Sequence, residues 1–281
     1  MTNRFCLTLL LALVALEGTA QPKKFKGYFD VSLFAGGAQY TGELNPRVFH
    51  SPTIKPGLGL IAKRNFSRRW AYKVALHYGT VYGNDAYGID AFSRQRNLSF
   101  QSRIWEASFQ MEFNFLPYQM GNPEIPATPY IFAGIGGFFF NPYRTLGNAT
   151  YFLNNLHTEG QTTSASTNGN YSLVQPSIPF GFGLKANLGR KMAIGVEWGF
   201  RRTFTDYLDD VSDLYTDGRV LYREVSLPAE KLSGAIRKTS NQAGNFNRQR
   251  GNNWNQDWYS FFGILLIYKI PNGDNCPELG N

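Results

Sequence analysis

The chain has 281 residues, with 28 Lys and Arg against 20 Asp and Glu for a net charge of +8, and only two cysteines. Two cysteines exclude a disulfide-built scaffold, and no segment beyond the N-terminus approaches the roughly 20 apolar residues of a membrane-crossing helix. Aromatic residues make up 16% of the chain and glycine occupies 29 positions, above the ~7% usual for glycine; both point to β-structure.

The first predicted element is an export signal. "MTNR" supplies a positive start, "FCLTLLLALVAL" a short apolar run, and Gly18 and Ala20 the small residues before a cut ahead of Gln21. Residues 1–20 therefore read as a signal peptide. Cys6 lies inside the apolar run, so a lipoprotein anchor is not expected, and only Cys276 remains after processing. Removing Arg4 and Glu17 leaves the charge unchanged. Export makes nucleic acid an unsuitable partner for this basic chain and leaves lipid phosphates or acidic glycans.

Eight strands follow. "YFDVSLFAGG" turns Phe29, Val31, Leu33 and Ala35 one way. "IKPGLGLIAKRNF" does the same with Leu58, Leu60 and Ala62, and "WAYKVALHYGTVY" with Tyr72, Val74, Leu76 and Tyr78. "WEASFQMEFNF" is the clearest: Trp105, Ala107, Phe109, Met111, Phe113 and Phe115 alternate with Glu106, Ser108, Gln110, Glu112 and Asn114. A helix would smear that pattern over all its sides, whereas a strand separates it into two faces. "TPYIFAGIGGFFFN" is apolar throughout and leaves its faces unassigned. "IPFGFGLKAN" and "KMAIGVEWGFR" alternate again, with Phe180, Phe182 and Leu184, then Ile194, Val196 and Trp198, as the larger set. "DWYSFFGILLIYKI" is apolar and unassigned like the fifth.

The links alternate in length. After strands 2, 4 and 6 they are short; after strands 1, 3, 5 and 7 they cover roughly residues 38–53, 83–100, 141–172 and 202–255. Tight periplasmic turns and long external loops are the pattern of an outer-membrane barrel. The expected fold is an all-β, eight-stranded antiparallel transmembrane β-barrel over residues 21–270, with a periplasmic tail over 271–281. A soluble barrel would show the same alternation with its apolar face inward. The membrane reading is favoured by glycines opposite the large residues, by aromatics near strand ends and by long links that all fall on one side. Lys73, Glu106, Glu112, Lys185, Glu197 and Arg201 then face the lumen, where mixed charges are cheapest when paired. Eight strands enclose an interior just filled by side chains, so a wide solute pore is excluded.

Several segments resemble the PorG-like outer-membrane barrel proteins of type IX secretion systems. They are "FAGGAQYTGELNP" (34–46), "TPYIFAGIGGFFFNP" (128–142), "LHTEGQ" (156–161), "SIPFGFGLKANLGRKMAIGVEWGFRRTFTDYLDDVS" (177–212) and "NQDWYSFFGILLIYKI" (255–270). Glu43 and His157 depart from that pattern, standing where relatives favour Asp and Gly. The resemblance implies a non-enzymatic outer-membrane component of a protein-export machine. Its implied partners are outer-membrane lipid and a periplasmic ring built from a lipoprotein and a soluble subunit. No small-molecule substrate, cofactor or metal is implied. The link "PYQMGNPEIPATP" and the tail "NGDNCPELGN" are the periplasmic surfaces such a ring would grip.

Within the longest segment, "TFTDYLDDVS" is the signature loop, carrying Thr205, Asp206, Tyr207, Asp209 and Asp210. Its carboxylate spacing lacks the alternating ligands and central Gly of a calcium loop. Local salt bridges and turns beside Arg201 and Arg202 are the leading expectation, ahead of partner contact and cation binding. Two further functions come into question. A barrel enzyme would need His50, His77 or His157 paired with Asp206 or Asp210, yet no nucleophile or metalloprotease motif accompanies them. A passive surface protein would use the basic, Asn-rich stretch at 241–256, with Arg237, Lys238, Arg248 and Arg250 attracting lipid phosphates or a host surface.

Overall fold

The computed structural model describes residues 25–271 apart from 89–90, 167–168, 235–243, 253 and 255. The expected signal peptide, Arg237, Lys238, Cys276 and the tail beyond residue 271 lie outside the described residues. Among the described residues, ten antiparallel strands form one sheet: β1 Tyr28–Thr41, β2 Lys55–Asn65, β3 Trp70–Asn84, β4 Ser99–Asn114, β5 Ala127–Phe139, β6 Pro142–Leu146, β7 Ala149–Phe152, β8 Val174–Asn187, β9 Met192–Thr203 and β10 Trp258–Lys269.

Eight of them close a barrel. Each long strand pairs with the next, from β1–β2 round to β9–β10, and β1 pairs β10 with Asp30 opposite Lys269 and Thr41 opposite Trp258. Closure leaves no unpaired edge, the condition a sheet must meet inside hydrocarbon. The short links are 66–69, 115–126 and 188–191, and the long ones are 42–54, 85–98, 140–173 and 204–257.

Period-two alternation sorts the side chains as expected. Leu33, Leu58, Leu76, Trp105, Phe109, Ile135, Phe182 and Val196 stand exposed on the outer wall, while Asp30, Lys73, Glu106, Glu112, Lys185 and Glu197 are buried inside. An exposed apolar belt around a polar, sealed interior suits lipid and not water. The protein is an outer-membrane β-barrel. Aromatic pairs mark the belt's margins, such as Tyr78–Trp105 at 4.5 Å and Trp70–Phe113 at 4.8 Å between ring centroids.

Three features differ from the sequence expectation. The strands run to 15 residues in β3 and 16 in β4, longer than the ten or so a tilted span needs. Their extra length pairs out to Asn84–Ser99 on the external side and projects as a ribbon. Second, large aromatic side chains share the lumen with the charges read from the sequence: Phe34, Tyr130, Phe132, Phe138, Tyr259 and Phe261 are buried there. Glycines on facing strands make room for them, since a Cβ at Gly79 would lie 2.6 Å from the Phe261 ring. Third, β6 and β7 form an external hairpin inside the third long link, where the sequence shows no long alternating run.

Candidate functional site

The lumen holds three polar layers. Nearest the periplasm, Glu112 receives Lys185 at 2.5 Å and Lys63 at 3.3 Å, and Lys63 lies 3.7 Å from Asp30. Above it Lys73 bonds Glu197 at 2.7 Å, and Tyr130 donates to the same carboxylate at 2.9 Å. The upper layer joins Arg201 to Glu106 at 2.9 and 3.2 Å, with Tyr259 donating to Glu106 at 2.7 Å and the His77 ring 3.4 Å away. The structure thus brings the six lumen charges named from sequence into cross-strand pairs and adds Asp30 and Lys63, whose polar positions in short alternating stretches carried the same signal. Two lysines meet two carboxylates in the lowest layer, and one ion pair fills each of the others. The periplasmic mouth is also filled. Link 115–126 folds inward, burying Tyr118 and Met120, with the Tyr28 hydroxyl accepting from the Met120 amide at 3.2 Å and Tyr118 bonded to Asn187.

At the external end the signature segments converge. From "TFTDYLDDVS", Asp209 accepts from the Tyr40 hydroxyl at 2.6 Å and the Val211 amide at 2.9 Å. Asp257, just ahead of β10, lies 2.7 Å from the same hydroxyl and accepts from the Leu208 amide at 3.0 Å. Asp210, held at a φ of +66°, accepts from Thr158 at 2.5 Å and Tyr171 at 2.8 Å. Glu159 of "LHTEGQ" accepts from the Ser212 amide at 2.8 Å and from Arg250 at 2.7 Å. Tyr207 stacks on Tyr171 at 4.6 Å, and both threonines secure the strand end, the Thr203 hydroxyl donating to the Asp257 carbonyl at 2.6 Å and the Thr205 carbonyl accepting from the Asp257 amide at 3.1 Å. Asp206 is buried beside the Ser212 hydroxyl, and among the described residues neither of its carboxylate oxygens has a well-aligned hydrogen-bond donor. Asp213 is exposed, and Asp217 caps the short helix α2 Gly218–Val220, which follows α1 Ala91–Arg96 and precedes α3 Leu227–Ser233.

Burial shapes the electrostatics of this cap. It pushes the Asp210 carboxyl up to about 6 despite Arg250, and Asp206 up to about 8 with help from Asp209. Glu43 is raised by burial and then by Asp209 and Asp206, and Asp257 is raised by burial and then by Asp209 and Glu43. One carboxylate oxygen each from Glu43, Asp209 and Asp257 lies within 4.8 Å of the other two, so among the described residues this is a group with the spacing to hold a cation.

The structure corrects the surface role expected for Arg250. Its guanidinium is buried, donating to Glu159, to the Asp210 carbonyl at 2.5 Å and to the Ser233 carbonyl at 3.0 Å. Arg248 is exposed. Asp210 is held by Thr158, Tyr171 and Arg250 rather than by a histidine; His50 packs against Tyr87, and His157 sits at a φ of +49°, a region that favours glycine.

The family described as "Domain of unknown function (DUF6089)" matches residues 4–218. No curated protein matches the chain. Among solved structures, Neisserial surface protein A is 9% identical, with a TM-score of 0.43 over 88% of this chain and 100% of that one. Ail, the attachment invasion locus protein of Yersinia pestis, crystallised with the heparin analogue sucrose octasulfate, is 8% identical, with a TM-score of 0.41 over 88% and 100%. A major outer membrane protein from Thermus thermophilus is 12% identical, with a TM-score of 0.39 over 88% and 100%. Likeness at this level says nothing about what the present chain binds.

Proposed function

Because the chain belongs to the DUF6089 family, whose description carries no activity, we propose its function from the resemblance of its segments to PorG-like proteins: a non-enzymatic barrel of the type IX protein secretion machinery that anchors a periplasmic ring complex to the outer membrane. The observation that supports this reading is the joining of three segments that resemble PorG-like proteins. "AQYTGELNP", "LHTEGQ" and "TFTDYLDDVS" build one buried cap through Tyr40, Glu159, Asp209 and Asp210. A lumen filled by paired charges and closed below by Tyr118 and Met120 suits a rigid anchor better than a conduit. At the periplasmic end Phe115, Leu116, Pro123 and Glu124 remain exposed, a surface a ring subunit can reach.

The test is affinity isolation of tagged protein from gently solubilised envelopes, with the bound proteins identified. A lipoprotein and a soluble periplasmic subunit are expected, and deletion of the gene is expected to stop cargo export. A barrel that purifies alone from cells whose export survives its deletion is a passive surface or envelope-stabilising protein instead.

A further inference from the structure

The external cap gathers more buried negative charge than its own cations neutralise. Glu43, Asp206, Asp209 and Asp257 lie together, whereas the neighbouring arginines are engaged elsewhere: Arg96 grips Asp85 at 2.7 and 2.8 Å, and Arg250 grips Glu159. Removing one carboxylate from water without a counter-charge costs several kcal/mol, so this arrangement requires either protons or a cation.

Three observations favour the cation. Asp206 is only 8% exposed, and among the described residues neither of its oxygens has a well-aligned hydrogen-bond donor, the Ser212 hydroxyl standing beside it. Glu43 Oε2 is likewise buried and unpartnered, its other oxygen accepting from the Asn252 amide at 2.5 Å. Tyr40 has a single hydroxyl proton but faces carboxylate oxygens of both Asp209 and Asp257, so one of those contacts is left without a proton from the tyrosine. Gly42 lets the backbone after β1 close onto this group, since a Cβ there would strike both the Tyr40 hydroxyl and the Asp257 carboxylate.

We infer that Glu43, Asp209 and Asp257, with Asp206 beside them, form a binding site for a hard divalent cation, and that the cation is calcium. Oxygens around calcium at about 2.3–2.6 Å stand no more than ~5 Å apart, which the 4.8 Å grouping satisfies. The donors are carboxylates with no thiol or imidazole, which selects against zinc and copper. Several carboxylates in an irregular shell suit calcium better than magnesium, which demands near-octahedral geometry and keeps its waters. Glu43 also lines a cleft of about 560 Å³ with Gly42, Arg202, Trp254 and Trp258, which gives an ion a route from outside. A bound ion would tie the loop after β1 to the signature loop and to the start of β10. This reading does not depend on the secretion role.

The experiment uses the folded, processed full-length protein in detergent, stripped with chelator and titrated with calcium chloride by calorimetry, with magnesium chloride in parallel. Terbium luminescence excited through the neighbouring Tyr40 and Trp258 provides a second readout. One saturable calcium site is expected. Glu43→Gln and Asp209→Asn should each raise its Kd at least tenfold, while Asp217→Asn on the separate helical turn leaves it unchanged. Heat-dependent gel migration verifies each folded barrel; should Asp209→Asn fail that check, Glu43→Gln at the cleft rim decides alone. No saturable response to calcium or terbium in the unaltered protein overturns the site, as does a folded Glu43→Gln variant that binds like it. Tighter binding of magnesium overturns the assignment to calcium.

Discussion

Arg250 ties together parts of the chain far apart in sequence, bonding Glu159, the Asp210 carbonyl and the Ser233 carbonyl from one buried guanidinium. Truncating one partner of such a pair leaves the other charge uncompensated and costs about 3–5 kcal/mol. Arg250→Ala is therefore expected to loosen the cap over 204–257 while the barrel persists. Limited proteolysis should cut that segment quickly, with the heat-modified gel band unchanged. Inside the lumen the same logic applies to Arg201→Met, which strands Glu106 and should lower barrel stability by about 3–5 kcal/mol in urea unfolding from liposomes. Adding Glu106→Gln should recover most of that loss. These two arginines were not equally legible. Arg201 sits at a polar position of an alternating strand, so its inward direction follows from period two. Arg250 sits in "NRQRGNN", a stretch whose composition describes a solvated loop, and its partners are 17, 40 and 91 residues away. No local pattern carries that information.

At the scale of elements, the strands were readable because lipid and lumen impose opposite demands on neighbouring residues. Where both faces are apolar the rule gives no direction, as in β5 and β10, and the facing glycines settle it by admitting Phe132 and Phe261. The hairpin β6–β7 carried a signal that length alone hid: Gly147 and Asn148 form a two-residue turn between short alternating runs, with Gly147 at a φ of +61°. Phe109 lies on the lipid side of β4 and is 46% exposed. Phe109→Arg should cost about 2–4 kcal/mol and deplete the folded protein from membrane fractions, because a cation near the bilayer midplane cannot be hydrated. Phe109→Leu should assemble normally. The contrast reads the direction of the face directly.

For the whole molecule, alternating link lengths disclosed strand number and sidedness, since tight turns and long loops sort to opposite ends of a closed sheet. The filling of both mouths was not disclosed, because it depends on how Tyr118 and the signature loops fold back over the ends. The consequence is measurable: reconstituted into planar bilayers, the protein should show no stable porin-sized conductance steps. Steps of that size would mean the polar layers do not seal the interior.

The loop after β1 leans down the outside of the wall, where Phe49 meets Phe262 at 5.7 Å and Trp198 at 6.2 Å. One flank of the cylinder, along β9 and β10, is thus already clothed by the protein's own chain. The barrel consequently has a compass bearing in the plane of the bilayer. A neighbouring membrane protein that needs intimate wall-to-wall contact is turned away from the clothed flank.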